Sequence, residues 1–189
     1  MKKLFLIVFI FFISISSSFA AFFIDGQGNY IATGELDPVT GWAAGIGFGV
    51  TDDVNFLLRA SVSETTENEG LASELKYEYS YAAAGIEYIP PIPMLEKYRI
   101  YWKNAVNIGA SMFEVSFANG EDDGVGPGVY TSFHTGLQYN FTQIIAPYID
   151  FGYHKSFYDS TKDVSIRGYQ VSLGIRFYLF GSRDYEQGY

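Results

Sequence analysis

Positions of one parity are apolar over four long stretches of the chain. They read Trp42, Ala44, Ile46, Phe48, Val50; Val54, Phe56, Leu58, Ala60, Val62; Ile100, Trp102, Asn104, Val106, Ile108, Ala110, Met112; and Tyr169, Val171, Leu173, Ile175, Phe177, Leu179, with Asn104 the one exception. The intervening positions include Gly45, Gly47, Asn55, Arg59, Ser61, Lys103, Asn107, Gln170, Ser172 and Arg176, and only Ala43, Leu57, Tyr101, Ala105 and Tyr178 among them are apolar. A contrast that flips at every residue has the period of a strand, not of a helix. Weaker alternation marks four more segments, residues 22–33, 75–89, 129–141 and 144–155. In the second of these Tyr77, Tyr79, Tyr81 and Ala83 give way to Ile86 and Tyr88 on the other parity, which predicts a bulge within Ala82 to Gly85.

The connections between the eight segments alternate in length. Long ones fall near 34–40, 64–74, 114–128 and 156–163, and short ones at Thr51 to Asp53, Pro90 to Lys97 and Thr142-Gln143. An even number of strands joined in this way predicts an all-β protein, a closed eight-stranded antiparallel up-and-down barrel. A soluble barrel would turn its apolar parity inward. Here the polar parity carries full charges and the apolar parity gathers Tyr, Trp and Phe near segment ends, as a transmembrane barrel with interfacial aromatic girdles requires.

The N-terminus has the order of a secretory signal. Lys2 and Lys3 precede the apolar run Leu4 to Ile13, followed by a Ser-rich stretch into Ser18-Phe19-Ala20. The run is too short to span a membrane as a helix, which takes about 20 residues. The chain therefore divides into a signal peptide, residues 1–20, a barrel, 21–180, and a short periplasmic tail, 181–189.

Composition narrows the function classes. The chain has no Cys, so a disulfide framework and a thiolate metal site are excluded. It has 12 Lys and Arg against 21 Asp and Glu, a balance unsuited to nucleic acid, which asks for clustered basic residues. No cofactor or metal set is apparent. Eight strands enclose a space that side chains can fill. The inward parity predicts a charge network there, of Asp25, Arg59, Glu78, Glu87, Lys103, Asp150 and Arg176, with Arg176 bridging Asp25 and Asp150. The alternative is a narrow polar pore. His134 and His154 share the inward parity as diagonal neighbours and lack a third metal ligand.

The long connections carry most of the acid, including Glu35, Asp37, Glu64, Glu67, Glu69, Glu74, Glu114, Asp159 and Asp163. Glu121-Asp122-Asp123-Gly124 lacks the alternate spacing of a calcium loop. In the third connection Phe113, Val115 and Phe117 keep alternating, so the fifth strand is expected to continue outward as half of a surface hairpin. Its tip would lie near Asn119-Gly120, with Glu121, Asp122 and Asp123 beside it.

Three stretches, FFIDGQGNY at 22–30, APYIDFGY at 146–153 and SLGIRFYL at 172–179, resemble the small eight-stranded outer-membrane barrels of Gram-negative bacteria, the OmpA-type and OmpX-type group. The resemblance covers residues 21–180. It implies an outer-membrane location, contact with outer-membrane lipid and lipopolysaccharide, and insertion by the barrel-assembly machinery, for which Ser172, Gly174, Phe177 and Leu179 match the terminal-strand signal. The nine residues from Gly181 depart from the family, which usually ends at that strand; they are too few for a peptidoglycan-binding domain. His154-Lys155-Ser156 is similar to the His-x-Ser pair of lipid A deacylases of this fold. However, Phe157 follows the serine, Gly168 stands where the acid is expected, and parity turns Ser156 inward. No catalytic residue is assigned. Three classes remain: a monomeric structural or surface-interaction barrel with an extracellular protein partner, a small-solute or hydrophobic-compound channel, and a lipid A-modifying hydrolase.

Overall fold

A computed structural model gives the structure; it describes residues 21–33, 38–67, 75–117, 122–158 and 165–181. Residues 1–20, expected to be a signal peptide, residues 182–189 and the tips of the long connections lie outside the described residues. Eight strands form the wall: β1 (Ala21–Thr33), β2 (Val39–Gly49), β3 (Val54–Glu67), β4 (Leu75–Tyr88), β5 (Ile100–Phe117), β6 (Asp122–Tyr139), β7 (Ile145–Tyr158) and β8 (Ser165–Phe180). Each pairs antiparallel with its sequence neighbour, and β1 pairs with β8, which closes the barrel. Closure leaves no open sheet edge around the wall.

The alternation decides which face is which. Trp42, Ile86, Val106, Ile108, Leu173 and Leu179 are exposed on the outer surface, whereas Arg59, Lys103, Asp150 and Arg176 are buried inside. Such an inversion of the usual rule is stable only where the outer face meets hydrocarbon, and in that medium a closed barrel satisfies every backbone group of the wall. Asn104, the exception in the apolar parity, accepts a hydrogen bond from Thr135 Oγ1 at 2.9 Å, and that hydroxyl in turn accepts one from Trp102 Nε1 at 2.7 Å. Its carbonyl is thus satisfied on the outer face.

Both tightest turns use one device. The hydroxyl of Thr51 accepts from the backbone N–H of Asp53 and Val54, and that of Thr142 accepts from Ile144 and Ile145. A threonine at this place satisfies donors that the turn would otherwise leave unpaired. The third connection at this end departs from the sequence expectation of a short link. Residues 89–99 contain a helical turn, α1 (Pro93–Glu96), with a proline at its start, where the missing N–H costs nothing.

Two further expectations are corrected. The β3–β4 and β4–β5 registers run unbroken from Leu75 to Tyr88, so there is no bulge at Ala82 to Gly85. Irregularities occur instead at Phe22/Phe23 and Ser111/Phe113. The long connections are also shorter than read, because β3, β5, β6 and β7 continue into them. Polar residues sustain the ladder there, as in the pairs Thr65↔Tyr77 and Ser116↔Asp122. The wall is consequently taller on the β3–β6 side.

Candidate functional site: the lumen and the hairpin rim

The interior is filled in layers. At the short-turn end Ala21, Phe23, Leu57, Ala105, Ala146 and Tyr178 form an apolar floor. Above it six charged side chains alternate in sign. Arg59 donates to Asp25 at 2.9 Å, Arg176 lies 3.5 Å from the same Asp25 oxygen, and Arg176 grips both oxygens of Glu87 at 2.8 and 2.9 Å. Lys103 stands 3.8 Å from Glu87 and donates to Asp150 at 2.8 Å. The series Arg59, Asp25, Arg176, Glu87, Lys103, Asp150 is therefore electrically balanced. Asn55 adds a further donor to Glu87 at 2.8 Å. A buried carboxylate tolerates a low-dielectric interior only when paired and hydrogen-bonded in this manner.

Glycines make room for the parts. Gly47 lies directly across from Phe23 and Gly174 across from Tyr148, and a methyl group at either glycine would collide with the opposing ring. Each ring fills that space and lies beneath a cation: the Arg176 guanidinium is 3.8 Å from the Phe23 centroid and the Lys103 ammonium 3.6 Å from that of Tyr148. Ring faces attract cations, so two small–large cross-strand pairs fix two of the three cations in place.

The next layer is uncharged. Gln27, Asn29, Ser61, Gln170 and Ser172 share hydrogen bonds of 2.7 to 3.4 Å, with Asn29 at the centre. Tyr148 donates its hydroxyl to Gln27 at 2.9 Å, linking this layer to the charged one. His134 Nε2 lies 3.0 Å from Ser132 Oγ, and Ser132 accepts from Asn107 at 3.0 Å. The hairpin end is closed by Ile31, Val39, Tyr79, Tyr81, Phe113, Tyr130, Tyr158 and Ile166. Within this lid Tyr81 and Tyr130 stack with centroids 4.2 Å apart, and Tyr79 stacks on His154 at 5.5 Å.

Several residues stand elsewhere than the sequence reading put them. Arg176 does not bridge Asp25 and Asp150. Asp150 is held by Lys103, and Arg176 reaches across to Glu87. Glu78 is not a lumenal residue: with no bulge in β4 it falls on the parity of Ala82, Ala84 and Ile86, outside the network. It lies between Glu64 and Glu114 in the register. Without that bulge Tyr77, Tyr79 and Tyr81 turn inward rather than toward lipid. The sign that could have placed them is their shared parity with Gly85 and Glu87. Phe113 and Val115, assigned to a surface hairpin, pack against the lumenal lid, while Phe117 is exposed.

The hairpin itself is built from β5 and β6, paired as far as Val115↔Asp123 and Ser116↔Asp122; Glu121 lies outside the described residues. In the terminal strand Ser172 enters the amide layer, Gly174 lies opposite Tyr148, and Phe177 and Leu179 are exposed on the outer face. His134 and His154 are diagonal, since Ser132 pairs with His154 and His134 with Gly152. Ser156 is fully buried, 2.7 Å from Tyr79 Oη and accepting from Ser111 at 2.9 Å, and Gly168 is the register partner of His154. Among the described residues no group of three or more His, Asp or Glu is arranged to hold a metal.

No protein-family model and no curated protein matches the sequence. Solved structures match the fold. Neisserial surface protein A superposes with a TM-score of 0.59 at 14% identity, covering 82% of this chain and 96% of that one. Ail, the attachment invasion locus protein of Yersinia pestis, gives 0.54 at 13% identity over 84% and 97% of the two chains. OprG of Pseudomonas aeruginosa, an outer membrane protein, gives 0.54 at 10% identity over 85% and 97%. The fold is thus that of the small eight-stranded outer-membrane barrels, the class to which the OmpA-type and OmpX-type proteins belong.

Proposed function

We propose that this chain is an integral outer-membrane barrel acting as a surface-interaction protein, with a closed lumen and an adhesive rim. The observation that carries the reading is the uneven height of the wall. Among the described residues β6 pairs with β7 only from Gly128 onward, while Asp122 to Val125 pair with β5 alone and Gly126 and Pro127 fall at the irregularity of that ladder. Among the described residues their other side has no ladder partner, and such an edge can take up a strand from another protein through main-chain hydrogen bonds. An extracellular protein presenting an extended segment is the partner this chemistry fits. The acidic residues near the rim favour a partner of basic character and oppose indiscriminate pairing.

The short turns face the periplasm in this reading, and the surrounding outer-membrane lipid and lipopolysaccharide are the solvent of the apolar wall. The chain reaches that membrane after removal of residues 1–20 and insertion by the barrel-assembly machinery. The packed interior favours surface contact over conduction, and the inward Ser156 favours it over lipid A hydrolysis. Deleting residues 115–126 should leave a barrel that still shows heat-modifiable gel mobility, while binding of intact cells to host-cell or matrix-protein surfaces is lost. Undiminished binding by the deletion variant would refute the proposal.

A further inference from the structure

The outer face of β7 and β8 carries one feature that neither the lumen nor the hairpin accounts for. On β7 the outward residues from Ile145 to Tyr153 are Ile145, Pro147, Ile149, Phe151 and Tyr153, all apolar, over a span of nine residues. On β8 those from Tyr169 to Leu179 are likewise all apolar, over eleven residues. Nine to eleven residues of tilted strand is the length that crosses the hydrocarbon of a bilayer. The next outward residue on each strand, toward the hairpin end, is a cation: Lys155 on β7 and Arg167 on β8. The register places them directly opposite each other, so their Cβ atoms are separated by about 5 Å.

Like charges in that relation repel and cost stability unless something neutralises them. Among the described residues neither cation pairs with a carboxylate. Lys76, on the outer face of β4, provides the contrast: Glu64 holds it at 2.9 Å. Arg167 is exposed, and the Lys155 ammonium stands 4.3 Å over the Phe157 ring. Immediately on the hydrocarbon side the rings of Tyr153 and Tyr169 meet edge to face at 5.4 Å, with Tyr169 72% exposed. Two adjacent cations bordering an aromatic and apolar strip are complementary to one class of molecule, a lipid with a phosphorylated headgroup. Its phosphate would bridge the ammonium and the guanidinium, which bind phosphate through charge-assisted hydrogen bonds, and its chains would lie along Phe151, Tyr153, Tyr169 and Val171.

We infer that Lys155 and Arg167 form a binding site for the phosphate of an outer-leaflet glycolipid. This rests on the membrane placement proposed above and is independent of the hairpin's role. The test is native mass spectrometry of the full mature chain in nonionic detergent, titrated with bisphosphorylated lipid A and separately with its dephosphorylated form. The double variant K155Q/R167Q should bind the bisphosphorylated lipid about tenfold or more weakly than the parent, the scale set by two cations near a lipid surface. K76Q should bind as the parent does, and the dephosphorylated lipid should not discriminate among the three. Equal affinity of parent and double variant would overturn the site. Displacement of the lipid by millimolar inorganic phosphate would also overturn it, marking a free-anion site. Gel mobility checks folding, and the single variants K155Q and R167Q, each expected to lose part of the affinity, serve if the double variant does not fold. Binding in micelles does not involve adhesion, so failure of the surface-contact reading would leave this result standing.

Discussion

Arg176 is fully buried and touches both acidic members of the network nearest to it, Glu87 at 2.8 Å and Asp25 at 3.5 Å. Truncation to alanine leaves Glu87 with the Asn55 amide at 2.8 Å and, as its nearest cation among the described residues, Lys103 at 3.8 Å, and it opens a gap over the Phe23 ring. Breaking a buried pair from one side costs about 3 to 5 kcal/mol, so Arg176→Ala should lower stability by that order in urea unfolding followed by gel mobility in detergent. A loss under about 1 kcal/mol, the range of a solvated pair, would show that water screens these charges. Ser156 gives a prediction of another kind. Its hydroxyl contacts Tyr79 and Ser111, so Ser156→Ala should destabilise by about 1 to 3 kcal/mol through lost buried hydrogen bonds. Neither parent nor variant should release acyl chains from lipid A in a radiolabel assay; release that disappears with the mutation would reverse the assignment.

At the scale of elements, β4 shows how one local assumption propagates. A supposed bulge at Ala82 to Gly85 put Tyr77, Tyr79 and Tyr81 on the lipid side and Glu78 in the lumen. The unbroken ladder reverses all four, because in a strand a shift of one residue exchanges the two faces. The consequence is a tyrosine lid over the charged layer. Tyr81 stacks on Tyr130 at 4.2 Å and both are buried, so removal of the pair opens the hairpin end of the lumen. The double variant Tyr81→Ala/Tyr130→Ala should remain a barrel, lose several kcal/mol by the cavity left behind, and show a larger planar-bilayer conductance than the parent. Indistinguishable conductance would place the barrier to ions in the charged layer alone.

For the whole molecule, topology is the testable quantity. With the short turns in the periplasm, a cysteine introduced at Asn68, Asn119 or Ser160 should react with a membrane-impermeant maleimide on intact cells, and one at Asp52 should not. The reverse pattern would invert the barrel. The absence of any native cysteine makes each single-site label unambiguous.

The sequence by itself determined the number of strands, their order and, in seven of them, which parity meets lipid. Apolar residues at alternate positions can be satisfied in only one way once the wall is closed and its outside is hydrocarbon. It also carried the identity of most of the lumenal charges, since Asp25, Arg59, Glu87, Lys103, Asp150 and Arg176 all stand on the inward parity. Only the tertiary structure decided who pairs with whom. Arg176 meets Glu87 rather than Asp150 because partners in a lumen are chosen across the barrel, by height and side-chain reach, and neither quantity is a function of separation along the chain. The same holds for the outer face. Lys155 and Arg167 are twelve positions apart in sequence, each an isolated basic residue, and it is the β7–β8 register that makes them neighbours.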